Sequence, residues 1–388
     1  MSIKRIHSVD VVRGIVMIIM ALDHIRDFMH TTSITQSPTD LMTTTPQLFF
    51  TRWITHLCAP TFVFLSGVSA YLSYKGKNDP AASRRFLLSR GLWLIVVEFT
   101  LVNFGLWFDI HFRIFFFDVI ATIGCGFIIL SLLINTSPKT IGAIGLIIIL
   151  CHNLVPLAGI GDHFFLKNII IPLFNPSVFP VTSKISFVMG YPPIPWAGVM
   201  LIGFALGKLF ELPAGKKRKL FLQIGLTALA LFSVIRFINI YGDPFTWSKQ
   251  KNGLFTFLSF INITKYPPSL LFCLATLGIM FLILAWVEGM KNKFTDIVTV
   301  YGKVPLFYFI VHWYIIHPIM FAMVFLQGFK SSDLVFGFNF GRPKEGSGVD
   351  LWIIYLVWIA VVITMYPLCK WYGKYKVEHR EKKWLRYL

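Results

Sequence analysis

The chain has 388 residues, 56% of them hydrophobic and only 14% charged, with a formal net charge of +18. A soluble domain carries about 25% charged residues, so the composition excludes a soluble globular protein and indicates an all-α integral membrane protein. Nucleic acid is excluded as the reason for the positive charge, because Lys and Arg concentrate in alternate loops, the positive-inside distribution of membrane proteins.

About 20 apolar residues span a bilayer, and about ten such segments can be placed: 9–30, 50–74, 86–108, 114–134, 140–157, 196–210, 220–241, 269–288, 297–326 and 351–368. They are expected to form one transmembrane domain over residues 1–388. The amino terminus has basic residues and an apolar run, but no small-residue cleavage site follows, and Asp10, Arg13 and Asp23 interrupt it; it reads as a retained first helix. Basic loops follow the second segment (Lys75, Lys77, Arg84, Arg85), the sixth (Lys216 to Lys219) and the eighth (Lys291, Lys293), and the tail beyond the tenth is basic as well. Both termini are therefore expected in the cytoplasm. Two connectors fall on the outer face, 158–195 and 242–268; the first is apolar but broken by prolines, which suits an interfacial or re-entrant stretch. The five cysteines (Cys58, Cys125, Cys151, Cys273, Cys369) are scattered singly and read as small hydrophobes.

Ionisable residues inside apolar segments are costly and usually face a bundle interior or a watery cavity. Asp23, His24, Asp27 and His30 fall in the outer half of the first segment, with Arg26 among them. Arg52 and His56 share one face at the outer end of the second, and His312 and His317 fall mid-to-outer in the ninth. Their common depth is the signal for a site. His24 lies between two carboxylates, Asp23 and Asp27, either of which would fix its tautomer and raise its basicity, as a general base needs; the alternative is a polar clamp between helices. His312 is read either as a core histidine bonded to a backbone carbonyl or as a partner opposite His24. His30 is a catalytic candidate or an interfacial histidine. Arg52 and His56 bind an anionic group or pack helices, and His317, before Pro318, is a weaker substrate-binding candidate. Tyr266 opens a Tyr-Pro-Pro that repeats Tyr191-Pro192-Pro193, and is a further candidate on the outer face. Arg13 and Lys303, in the inner half, are candidates for a phosphate from the cytoplasm, Arg13 alternatively being an anchor paired with Asp10. No metal is expected: HExxH and Cys/His clusters are absent, as are P-loop and GxGxxG patterns.

The stretches SVDVVRGIVMIIMALDHIRDF, TRWITHLCAPTFVFLSG, YPPIPWAGVMLIGFALG, TKYPPSLLF and YGKVPLFYFIVHWYIIHP occur in this order. They resemble bacterial members of the heparan-α-glucosaminide N-acetyltransferase-like family of multi-pass transmembrane acyltransferases. The resemblance implies transfer of an acetyl group from cytoplasmic acetyl-CoA (acyl-CoA), as co-substrate, to an amino or hydroxyl group of a saccharide or glycolipid acceptor across the membrane. A glucosamine-containing cell-envelope polysaccharide would be one such acceptor, with the protein resident in the cytoplasmic (inner) membrane. The histidine held to be catalytic in the lysosomal member lies shortly after its first helix, and His30 is the nearest match by position; where this sequence has His24, that protein has Asn. On this route the nucleotide rests on basic loops and Arg13. His24 or His30, aided by Asp23 or Asp27, takes the acceptor proton, and His312 with Arg52 steadies the oxyanion. Expected partners are acyl-CoA, the acceptor and membrane lipids, with a homo-oligomer left open. The rival reading is a secondary transporter of an envelope sugar or lipid precursor; the Tyr-Pro-Pro echo does not fit an inverted repeat but leaves a parallel one open.

Overall fold

The computed structural model describes residues 5–77, 79–157, 165–379 and 381–386. The chain is an all-α membrane protein. Its first half contains α1 (His7–Met29), α2 (Pro46–Ile54), α3 (Cys58–Lys77), α4 (Pro80–Val97), α5 (Asn103–Trp107), strand β1 (Ile114–Phe117), α6 (Val119–Leu133) and α7 (Pro138–Cys151). After the residues outside the description come α8 (Ile171–Phe174), β2 (Ser177–Pro180), β3 (Ser186–Met189), α9 (Pro193–Ala205) and α10 (Ala214–Ile238). The chain ends with α11 (Gly253–Ile261), α12 (Leu270–Val287), α13 (Lys293–Gly302), α14 (Pro305–Leu326) and α15 (Leu351–Glu378). Among the described residues, seven helices are long and apolar enough to cross a membrane, and α6 and α7 are shorter apolar helices. Every segment marked from the sequence contains a helix.

α1 is the hub, although it is too charged to read as a simple apolar span. It packs against α3, α12, α13, α14 and α15, and buries Val11, Val12, Val16, Met17, Ala21, Ile25 and Phe28 around its circumference. The approach of α13 is close enough that a Cβ on Gly14 would lie 2.0 Å from the Val298 carbonyl oxygen, and one on Gly302 1.8 Å from that of Asp10. Small residues that bring backbones together are the usual packing device in lipid, where hydrophobic burial gives helices little reason to associate.

Three segments differ from expectation. The stretch 297–326 is not one helix: α13 ends at Gly302 and α14 begins at Pro305, with Lys303 and Val304 between. Pro305 lacks the N–H that would continue the ladder and disfavours helical backbone at the residue before it; Val304 accordingly sits at φ −134°, ψ 52°. Residues 114–117 (Ile-Phe-Phe-Phe) form a strand, since aromatic and β-branched side chains suit a pleated surface. The proline-broken connector supplies the partners: β3 pairs parallel with β1 and antiparallel with β2, in the order β1-β3-β2. This small sheet adjoins the start of α6: β1 leads directly into Asp118 and β3 into Tyr191, two residues that belong to the site.

Candidate active site at the junction of two cavities

Three helices carry the site in parallel ladders. Along α1, Arg13 and Met17 line a cavity of about 330 Å³, while Met20, Asp23 and His24 line a second cavity of about 30 Å³. Along α14, Pro305 and Leu306 face the larger cavity and Phe309 faces both; along α3, Ser66, Ser69 and Ser73 face the larger, Cys58 and Ala59 the smaller, and Phe62 both. Phe62, Val119 and Phe309 are thus the partition between the two spaces. The larger cavity has basic side chains along it (Arg13, Arg90, Lys303, Lys376), and Lys303 and Lys376 also line an adjoining groove of about 450 Å³ with Arg5, Lys370 and Lys374. A separate cavity of about 690 Å³ near Lys217 and Glu288 shares no lining residue with the His24 cavity.

At the small cavity, His24 Nδ1 lies 2.6 Å from His312 Nε2. His312 is fully buried, and its Nδ1 is 3.1 Å from the Tyr308 carbonyl oxygen, which can only accept. In the neutral rings His312 Nδ1–H therefore donates to Tyr308, His312 Nε2 accepts, and His24 Nδ1–H donates to it. His24 Nε2 is left with its lone pair. Stacking on Trp313, with centroids 4.1 Å apart and 16° between planes, holds the His24 ring in that orientation. The arrangement is a base, or a nucleophile, whose tautomer is set by a second histidine.

The carboxylates near His24 do other work. Asp23 accepts from Arg26 at 2.8 Å and from Arg52, and Arg26 also reaches Asp27 at 2.7 Å. Arg52 further donates to the Thr55 hydroxyl at 3.2 Å. This alternating network, buried at Asp23 and Arg26 and open at Asp27, ties α1 to α2, where each charge has its counter-charge at hand. The expected partnership of His24 with Asp23 or Asp27 is replaced by the partnership with His312. Likewise His312, with both nitrogens engaged, and Arg52, bound to Asp23, are not aimed at the cavity as oxyanion donors.

A family model described as "Heparan-alpha-glucosaminide N-acetyltransferase, catalytic" matches residues 5–241. The chain belongs to this family. It is therefore a member of a family of transmembrane acetyltransferases. A search of curated proteins finds no match. The family segment contains α1, α3 and α6 and hence most of the walls of both cavities, while α14 and Lys265 lie beyond it.

The remaining sequence candidates divide. Arg13 turns to α3, donating to the Leu65 carbonyl at 3.0 Å and the Ser69 hydroxyl at 2.7 Å, and lines the larger cavity. Lys303 lines the same cavity, at the break between α13 and α14. Tyr266 donates to the Tyr191 hydroxyl at 3.1 Å, and Tyr191 lines the small cavity. His56 is buried against Phe272 and Trp53 rather than in either cavity. His317 packs among Phe28, Phe108 and Phe321. His30 caps the end of α1, with Nδ1 3.1 Å from the Thr32 hydroxyl oxygen, and Arg342 donates to its carbonyl at 3.0 Å; it lines neither cavity. Among the described residues, no group of three His, Cys, Asp or Glu side chains is placed to hold a metal ion.

Two lining residues lacked a chemical role in the sequence reading, Asp118 and Lys265. Lys265 sits in the Lys-Tyr-Pro-Pro-Ser turn of an irregular connector, where no helical period links it to the residues of α1. The only signal was a lysine one residue before the Tyr266 already singled out.

Proposed function

We propose that this protein transfers an acetyl group from acetyl-CoA to an amino or hydroxyl group of a saccharide or glycolipid, with His24 as the reacting base. The observation that carries the reading is the His24–His312 pair at the end of a passage that begins among basic side chains. Eleven residues separate Arg13 from His24 on α1, roughly 16 Å at 1.5 Å per residue, a distance suited to an extended pantetheine arm. The donor's phosphates rest on Lys303, Lys376 and the adjoining basic groove, as charge-assisted contacts favour. The thioester passes Phe62 and Phe309 to reach His24. The acceptor enters from the opposite end of the bundle. By the positive-inside rule the basic end faces the cytoplasm of a cell bounded by this membrane, and the acceptor lies on the far side.

In the transfer, His24 Nε2 takes the proton from the acceptor N–H or O–H as that atom bonds to the thioester carbonyl carbon. The carbonyl π pair moves to oxygen, then returns as the carbon–sulfur bond breaks. The proton on His24 passes to the departing CoA thiolate, and both His24 and His312 return to their starting tautomers. His312 steadies the imidazolium without touching substrate.

The test is CoA release from acetyl-CoA by purified protein supplied with amino sugars. His24→Ala should lose activity by about 10²–10⁴-fold, the usual contribution of a general base, while His30→Ala should stay within about threefold of wild type. A burst of CoA without acceptor, lost in His24→Ala, would assign His24 as a nucleophile that carries the acetyl group. Wild-type protein that releases no CoA, or a His24→Ala variant of full activity, would sink the proposal.

A further inference from the structure

The small cavity holds a buried cation with no carboxylate in direct contact. Lys265 is 8% exposed and lines this cavity beside His24. Its ammonium lies 4.9 Å from the ring centre of Tyr266 and 5.6 Å from that of Tyr191. Among the described residues it has no carboxylate within 4 Å. Of the two carboxylates at the cavity, Asp23 is held by Arg26 and Arg52, while Asp118 feels the charge of Lys265 without forming an ion pair with it. The neutral donors are largely engaged too. The Thr55 hydroxyl donates to the Arg52 carbonyl at 2.7 Å, and the Cys58 thiol to the Val16 carbonyl at 3.3 Å. An ammonium buried without a contacting carboxylate gains from negative charge that develops beside it.

The position of the cavity identifies what arrives. Phe62, Val119 and Phe309 line both it and the larger cavity, so the end of a donor lying in the larger cavity enters beside His24 and Lys265. We propose that the Lys265 ammonium stabilises the oxyanion that forms on the thioester carbonyl oxygen when the acetyl carbon is attacked beside His24. The inference rests on the acetyltransferase reading above. As the new bond to carbon forms, the carbonyl π electrons become a full negative charge on oxygen, and Lys265 meets that charge with two aromatic faces beside it. The charge disperses again when CoA leaves as thiolate and the carbonyl re-forms. Preorganised positive charge of this kind acts on the transition state more than on the bound thioester, which carries no net charge at that oxygen. Lys265 thus takes over the role expected of His312 and Arg52.

The experiment measures kcat and the acetyl-CoA and acceptor KM of Lys265→Met, Lys265→Gln and Lys265→Arg, with thermal unfolding in detergent as the check on folding. The expected result is a fall in kcat of about 10²–10³-fold for Met and Gln, as for loss of an oxyanion donor, with both KM values within about threefold. Lys265→Arg should recover at least about tenfold of that loss by restoring the charge. An active wild type whose kcat survives Lys265→Gln overturns this inference alone. A raised acceptor KM with unchanged kcat does the same, and assigns Lys265 to an anionic group on the acceptor. A wild type that releases no CoA overturns the acetyltransferase reading and this inference with it.

Discussion

His24 owes its chemistry to its neighbour rather than to its own position. The i−4 bond from His312 Nδ1 to the Tyr308 carbonyl decides the tautomer of His312, and that in turn decides the tautomer of His24. Replacing His312 by Ala should therefore lower kcat by about tenfold to hundredfold, leaving a base with no fixed tautomer, without changing acetyl-CoA binding measured by calorimetry. His312→Gln, which can still accept a hydrogen bond, should recover part of the loss; equal activity in all three proteins would remove His312 from the mechanism. Sequence periodicity placed these side chains along their helices, because a helix rises uniformly. It could not say which faces of α1 and α14 meet, so both readings of His312 stayed open, and the structure combines them: a core histidine bonded to a carbonyl that is also the partner of His24. The same blindness to facing directions gave His24 a carboxylate partner, when Arg26 and Arg52 take up Asp23 instead.

Among the elements, α1 and α13 form the contact on which the donor passage depends. Gly302 precedes Lys303 directly, and its Cα lies against the Asp10 carbonyl one turn from Arg13. Gly302→Ala should destabilise the protein by about 1–3 kcal/mol through overpacking and weaken acetyl-CoA binding, whereas Gly215→Ala, with nothing within 4 Å of the added carbon, should do neither. Thermal unfolding in detergent with and without acetyl-CoA reads both effects; a Gly302→Ala protein as stable as wild type would deny the contact its weight. The break at Pro305 was visible in the sequence as a proline within an otherwise apolar run, but the run's length masked it. The strand at 114–117 was masked similarly, since a short apolar stretch does not distinguish a strand from a helix end. The connector strands that pair with it have no period of their own to reveal them.

Over the whole molecule, membrane class and family were legible because they rest on summed quantities: apolar content, the distribution of Lys and Arg, and motifs spread in order along the chain. The cavities were not, because they lie between helices far apart in sequence and belong to none. Their arrangement gives the molecule a direction, from a basic groove through a passage lined by serines and aromatics to a histidine pair and one buried lysine. The most direct measurement of that direction is a structure of the His24→Ala protein bound to acetyl-CoA. Density for the nucleotide is expected beside Lys303 and Lys374, with the thioester past Phe62 and its oxygen within about 3–3.5 Å of Lys265 Nζ. A nucleotide bound at the opposite end of the bundle, or a thioester outside both cavities, would contradict it.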